Sequence, residues 1–160
     1  MTNEFNTPAR RRSVNRRLFV QAGIAGALAL SIPLLMQAQA QTNPGPKRAG
    51  IVIQVSDNDP AKWNLALNNA KNLQDDVGAA NVDIEIVAYG PGINMLKMDS
   101  PAAARLADAA KSNIKVVACE NTMRGQKLTK DDMLAGIGYV PAGVTEIMKK
   151  QNEGWAYLRP

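Results

Sequence analysis

The sequence predicts an α/β fold: a single three-layer α/β/α domain with a mainly parallel sheet of about five strands. Three observations predict it. Short β-branched runs alternate with segments whose apolar residues recur at the helical period. One run, Lys115–Cys119, is apolar without alternation, the pattern of a strand buried on both faces of a parallel sheet. Removing a forty-residue leader from the 160-residue chain leaves 120 residues, enough for one hydrophobic core without disulfides.

Each element has a local reason. Ile51–Val55 is the first strand. It ends in Ser56-Asp57-Asn58-Asp59-Pro60, where Asp59 caps a helix and Pro60 opens it. That helix places Trp63, Ala66, Leu67, Ala70, Leu73 and Val77 on one face, and Gly78 stops it. Val82–Ala88 is the second strand. Its Asp83 and Glu85 alternate with apolar residues, which predicts a solvated face or an edge position. Tyr89-Gly90-Pro91-Gly92 leads into a short helical turn over 93–96. Ser100 caps a further helix, with Pro101 at its first position and an alanine-rich run to Lys111. Lys115–Cys119 is the third strand, central and buried. Thr129-Lys130-Asp131-Asp132 reads as a capped short helix. Ile137–Val140 is a fourth strand. Val144–Asn152 is a helix with Val144, Ile147 and Met148 on one face, ended by Gly154, and 155–158 is the last strand.

The leader carries its own pattern. Residues 1–40 hold five arginines against Glu4 alone. Ser13-Val14-Asn15-Arg16-Arg17-Leu18-Phe19-Val20-Gln21 resembles the twin-arginine export signal. An apolar run follows over Ala22–Met36, and Ala38-Gln39-Ala40 fits a small-x-small cleavage site. The expected organisation is a signal peptide over 1–40 cleaved after Ala40, a Pro/Gly linker over 41–48, and a domain over 49–160 in the periplasm. The alternative for the leader is an uncleaved anchor, against which the run is short of the roughly twenty residues a span needs.

Composition excludes several chemistries. The formal net charge of +5 sits mostly in the leader; the remainder holds fourteen basic and thirteen acidic residues, with no basic stripe for a phosphate backbone, so no nucleic acid is expected. The absence of histidine removes Ser-His and Cys-His nucleophile pairs and the commonest transition-metal ligand. Five methionines outside the leader read as core filling, and Asp75-Asp76 and Asp131-Asp132 as helix-end charges. No metal and no cofactor is expected.

Ligands of open parallel sheets bind beyond the carboxyl ends of the strands. The loops there offer Ser56, Asp57 and Asn58; Tyr89, Gly90 and Gly92; Cys119, Glu120, Asn121 and Thr122; and Tyr139, Pro141 and Gly143. Ser56, Asp57, Asn58, Tyr89, Gly90, Asn121 and Thr122 are the candidate ligand-binding residues. Cys119 is the candidate catalytic residue. It ends a strand before a helix N-terminus, where amide donors lower a thiol pKa, with Arg124 one turn on. The competing reading is a buried cysteine that only fills space.

With Cys119-Glu120-Asn121-Thr122-Met123 placed, the chain from about Gly50 onward resembles the DsrE/DsrF-like family. The resemblance also rests on Ile51–Ser56, Trp63–Ala70, Ile86–Gly92 and Tyr139–Val144. It implies a parallel α/β fold, homo- or hetero-oligomers of trimer or hexamer size, and, at Cys119, a persulfide carried for a sulfur donor or acceptor protein. Two function classes stay open: a sulfur carrier using Cys119, and a non-catalytic oligomeric binding module for a small ligand or protein partner. An enzyme loaded with a cofactor before export is a third, without a motif to support it.

Overall fold

The computed structural model describes residues 48–160; the expected export signal over 1–40 and linker residues 41–47 lie outside them. The elements follow one another as strand β1 (Ala49–Val55), helix α1 (Pro60–Val77), β2 (Val82–Ala88), a 3-10 stretch (Gly90–Leu96), α2 (Ala103–Lys111), β3 (Lys115–Cys119), α3 (Glu120–Gly125), a 3-10 turn (Lys130–Asp132), β4 (Gly138–Val140), α4 (Gly143–Asn152) and β5 (Ala156–Leu158). The five strands form one sheet in the order β4-β3-β2-β1-β5, and every pairing is parallel. The expected α/β class and strand count hold.

Connection handedness divides the helices. The chain steps from β1 to β4 in one direction across the sheet, then returns beyond β1 to β5. Right-handed crossovers put the first three connections on one face and the returning one, α4, on the other. The first face holds the large apolar core: Ile53, Val55, Ile84, Ile86, Val116 and Ala118 of the sheet pack against α1, α2 and the 3-10 stretch. The second face holds a small cluster of Val52, Val87, Val117, Val140 and Ile147.

Local chemistry behaves as the residues dictate. The Asp59 carboxylate accepts from the Ala61 amide at 2.8 Å, and Gly78, at φ 86°, ends α1. Thr129 and Asp132 close a capping box around the 3-10 turn.

Four expectations need correction. β2 is the middle strand and not an edge, and Glu85 is 1% exposed. The alternation marked a buried carboxylate paired with a lysine that reaches solvent: in register on β3, the Lys115 ammonium donates to Glu85 Oε2 at 2.9 Å. Second, α2 starts at Ala103, because Ser100 caps a preceding turn, its Oγ accepting from the Ala102 amide at 3.2 Å. Third, on α1 the buried stripe takes in Gln74, whose Nε2 donates to the Ser112 carbonyl at 2.8 Å, while Val77 is exposed. Fourth, only Ile147 of the expected α4 trio is buried; Val144 and Met148 stand out into solvent.

Candidate functional site around Cys119

β3 runs apolar through Val116, Val117 and Ala118 and ends on Cys119, which is the N-cap of α3. Alternation along the strand puts Val117 and Cys119 on the α4 side of the sheet. The parallel pairing of Cys119 with Val140 then brings the start of α4 alongside. The sulfur therefore faces two helix N-termini. Cys119 is 5% exposed.

The electrostatics around the thiol are opposed. Burial pushes its pKa up. The Thr122 side chain, the Gly143 amide and the amides of Thr122 and Asn121 push it down, and together they win, so the thiol sits below its ordinary value. The sulfur closes no capping hydrogen bond onto α3. A neutral thiol is a weak acceptor, so these donors act chiefly on the thiolate.

Neighbouring loops tie into this arrangement. Thr122 Oγ1 accepts from the Gly90 amide at 2.9 Å, and Gln126 Nε2 donates to the Gly90 carbonyl at 3.2 Å. Gly90 has φ 53°, a left-handed conformation that glycine adopts without strain. The Tyr89 amide donates to the last carbonyl of β1, Val55, at 3.1 Å. Gly143 lies against Tyr89; a β-carbon there would stand 3.1 Å from the tyrosine Cβ. Cys119, Thr122, Gly90, Tyr89 and Gly143 thus form a closed ring of contacts.

Beyond Tyr89 lies a polar strip. Gln54, 9% exposed, donates through Nε2 to Ser56 Oγ at 3.1 Å, and its Oε1 accepts from the Tyr157 hydroxyl at 2.6 Å. Burial raises the Tyr89 pKa, Tyr157 and Asp57 add to it, and Arg159 and Gln54 oppose it without cancelling it. Tyr89 is accordingly a neutral phenol at physiological pH.

The structure brings together Cys119, Asn121, Thr122, Gly90 and Tyr89, and adjoins Ser56 through Gln54. Asp57 adjoins this group only through its charge on Tyr89, and Asn58 lies outside it. Asp57 is held by Lys62 at 3.2 Å and Arg159 at 3.5 Å; the Lys62 hydrogen bond leads the causes that draw its pKa down. Asn58 points to solvent. Arg124 is hydrogen-bonded to Asn121 Oδ1 and is not among the groups acting on the thiol. Gln54, Gln126 and Tyr157 were missed by sequence reasoning. Gln54 alone left a signal, a polar residue inside an otherwise apolar strand. Two cavities of about 270 and 240 Å3 open elsewhere, one between α1 and α2 and one between α2 and residues 134–137; neither touches Cys119.

Residues 47–160 match the model of the DsrE/DsrF-like family. A protein of unknown function from Methanobacterium thermoautotrophicum has 35% sequence identity and a TM-score of 0.67, over 70% of this chain and 99% of its own. A conserved protein of unknown function from Bacteroides thetaiotaomicron (14% identity, TM-score 0.58, 69% of this chain and 94% of its own) shares the fold. So does the ychN protein of E. coli (12% identity, TM-score 0.57, 71% and 99%). No curated protein matches the chain.

Proposed function

The chain belongs to the DsrE/DsrF-like family, and we propose that it is a sulfur carrier that holds sulfane sulfur as a persulfide on Cys119. The observation that carries this reading is the donor set of Thr122, Gly143 and Asn121 turned on the sulfur, which favours its anion.

The chemistry is thiol exchange and needs no external oxidant. The Cys119 thiolate attacks the terminal sulfur of a donor persulfide, R–S–SH. A new S–S bond forms on Cys119, the donor S–S bond breaks, and the donor leaves as the thiolate R–S−. An acceptor thiolate then attacks the outer sulfur of Cys119–S–SH, takes it as its own persulfide, and returns Cys119 as thiolate. The first attack needs ionised sulfur, which the surrounding donors supply at lower pH than a free thiol would allow.

The test is intact mass after exposure to polysulfide. Wild type is expected to gain whole sulfur atoms, released by reductant, and Cys119→Ser none. Sulfur held by the serine variant would refute the carrier role. One observation favours a second reading, a non-catalytic oligomeric binding module: Cys119 is 5% exposed. Loading only after unfolding would support it.

The proposal includes export by the twin-arginine route, cleavage after Ala40 and residence in the periplasm, motivated by Arg16-Arg17, the apolar run and Ala38-Gln39-Ala40. A periplasmic fraction whose protein begins at Gln41, lost when Arg16 and Arg17 become lysine, is the expected result. A trimer or hexamer in solution is expected with it, read by sedimentation.

A further inference from the structure

We infer that Thr122 is the positioning residue of this site: the Gly90 amide occupies its hydroxyl oxygen, so that its single proton is held toward the Cys119 sulfur. This rests on the reading of Cys119 as a working thiolate. A hydroxyl has one proton and two acceptor lone pairs, and a free one rotates to suit its surroundings. Here rotation is restricted. The Gly90 amide donates to Oγ1 at 2.9 Å, fixing the acceptor side. Thr122 is three residues after Cys119 on the first turn of α3, and its side chain is a hydrogen-bonding neighbour of the thiol.

The donor of that amide is itself held. Gln126, one turn beyond Thr122, donates to the Gly90 carbonyl at 3.2 Å. The helix thereby grips both polar groups of a glycine in the left-handed region, while Tyr89 before it is tied to β1. One lone pair of Thr122 Oγ1 is taken by a rigidly held partner, which narrows the directions left to its proton and leaves it for the sulfur. The β2 loop thus orients a hydrogen bond to the thiolate without touching it.

The chain has one cysteine, so the ultraviolet absorbance of thiolate titrates Cys119 alone once the Cys119→Ser profile is subtracted to remove tyrosine. Thr122→Val keeps the shape and removes the hydroxyl; Thr122→Ser restores it. The midpoint is expected to rise in the valine variant and return toward wild type in the serine variant. Alkylation by iodoacetamide at neutral pH should fall roughly tenfold in Thr122→Val, the scale of one hydrogen bond to a charged group. Circular dichroism on each variant separates loss of fold from loss of the bond. If Thr122→Val does not fold, Gln126→Ala tests the same claim by freeing Gly90, with a smaller upward shift expected. A folded valine variant that titrates like wild type, or a serine variant that titrates like valine, would overturn the inference. Sulfur uptake is read separately: no uptake by folded wild type, with the midpoint shift intact, would sink the carrier reading and leave the role of Thr122 standing.

Discussion

The two faces of the sheet are built from opposite chemistry. Under α1, α2 and the 3-10 stretch, the buried strand residues are apolar, from Ile53 and Ile86 at the centre to Met95 and Leu96 above them, and the buried polar Gln74 and Ser100 come from the covering segments. Under α4, five apolar residues share the face with Gln54, Glu85 and Cys119, all buried. The first face makes the domain stable. The second accepts buried polar groups, each of which needs a partner. Gln54 finds Ser56 and Tyr157. Glu85 finds Lys115, and Lys150 at 3.8 Å, but its Oε1 has no hydrogen-bond partner among the described residues. The buried polar side chains carried by the strands themselves, Gln54 and Glu85, lie on this thinner face, as does Cys119.

Adjacent residues of β2 test the contrast most strongly. Ile86 and Val87 are both fully buried but point to opposite faces. Ile86→Ala should destabilise by about 2–5 kcal/mol, the usual cost of such a cavity in a well-packed core. Val87→Ala should cost less, read by denaturant midpoint. Equal losses would mean that the faces contribute alike.

The ion pair is next. Lys115→Met leaves Glu85 to the more distant Lys150, and should destabilise by about 1–3 kcal/mol in the same assay. No loss would mean that Lys150 satisfies the carboxylate by itself.

A pH-dependent effect follows at Cys119. Its folded pKa lies below the unfolded value, so the unfolded state binds more protons across that window. The contribution is full above the unfolded pKa and is lost as pH falls through the folded one. The stability advantage of wild type over Cys119→Ser should therefore grow with rising pH through this range. A flat difference would remove the thiolate from the account.

The smallest effect belongs to the solvent. The Lys71–Asp75 pair on α1 is two-thirds exposed on each side, and Lys71→Ala should change stability by less than about 0.5 kcal/mol.

Element positions were legible in the sequence on both faces: Asp59-Pro60, Gly78 and the Val82–Ala88 run act where their residue types place them. Which side chains those elements bury was less so, as Val77 and Gln74 show on the thick face. Glu85 misled because a carboxylate in an alternating strand normally faces water, and its partner Lys115 lies thirty residues on, in register only once the sheet forms. Val144 and Met148 misled for the converse reason, because helical spacing does not reveal how narrow a stripe one helix buries. At the site, Cys119 was visible as a strand end before a helix. Its link to Gly90 through Thr122, and the return of Gly143 to the sulfur, come from three loops that only the parallel sheet assembles.

The most direct measurement compares sulfur loading of Cys119 by polysulfide in the folded protein and in denaturant, followed by intact mass across pH. The account predicts complete loading in the folded state, half-maximal at a lower pH than in the unfolded chain. Loading confined to the unfolded chain would contradict it and leave Cys119 as a residue of the core.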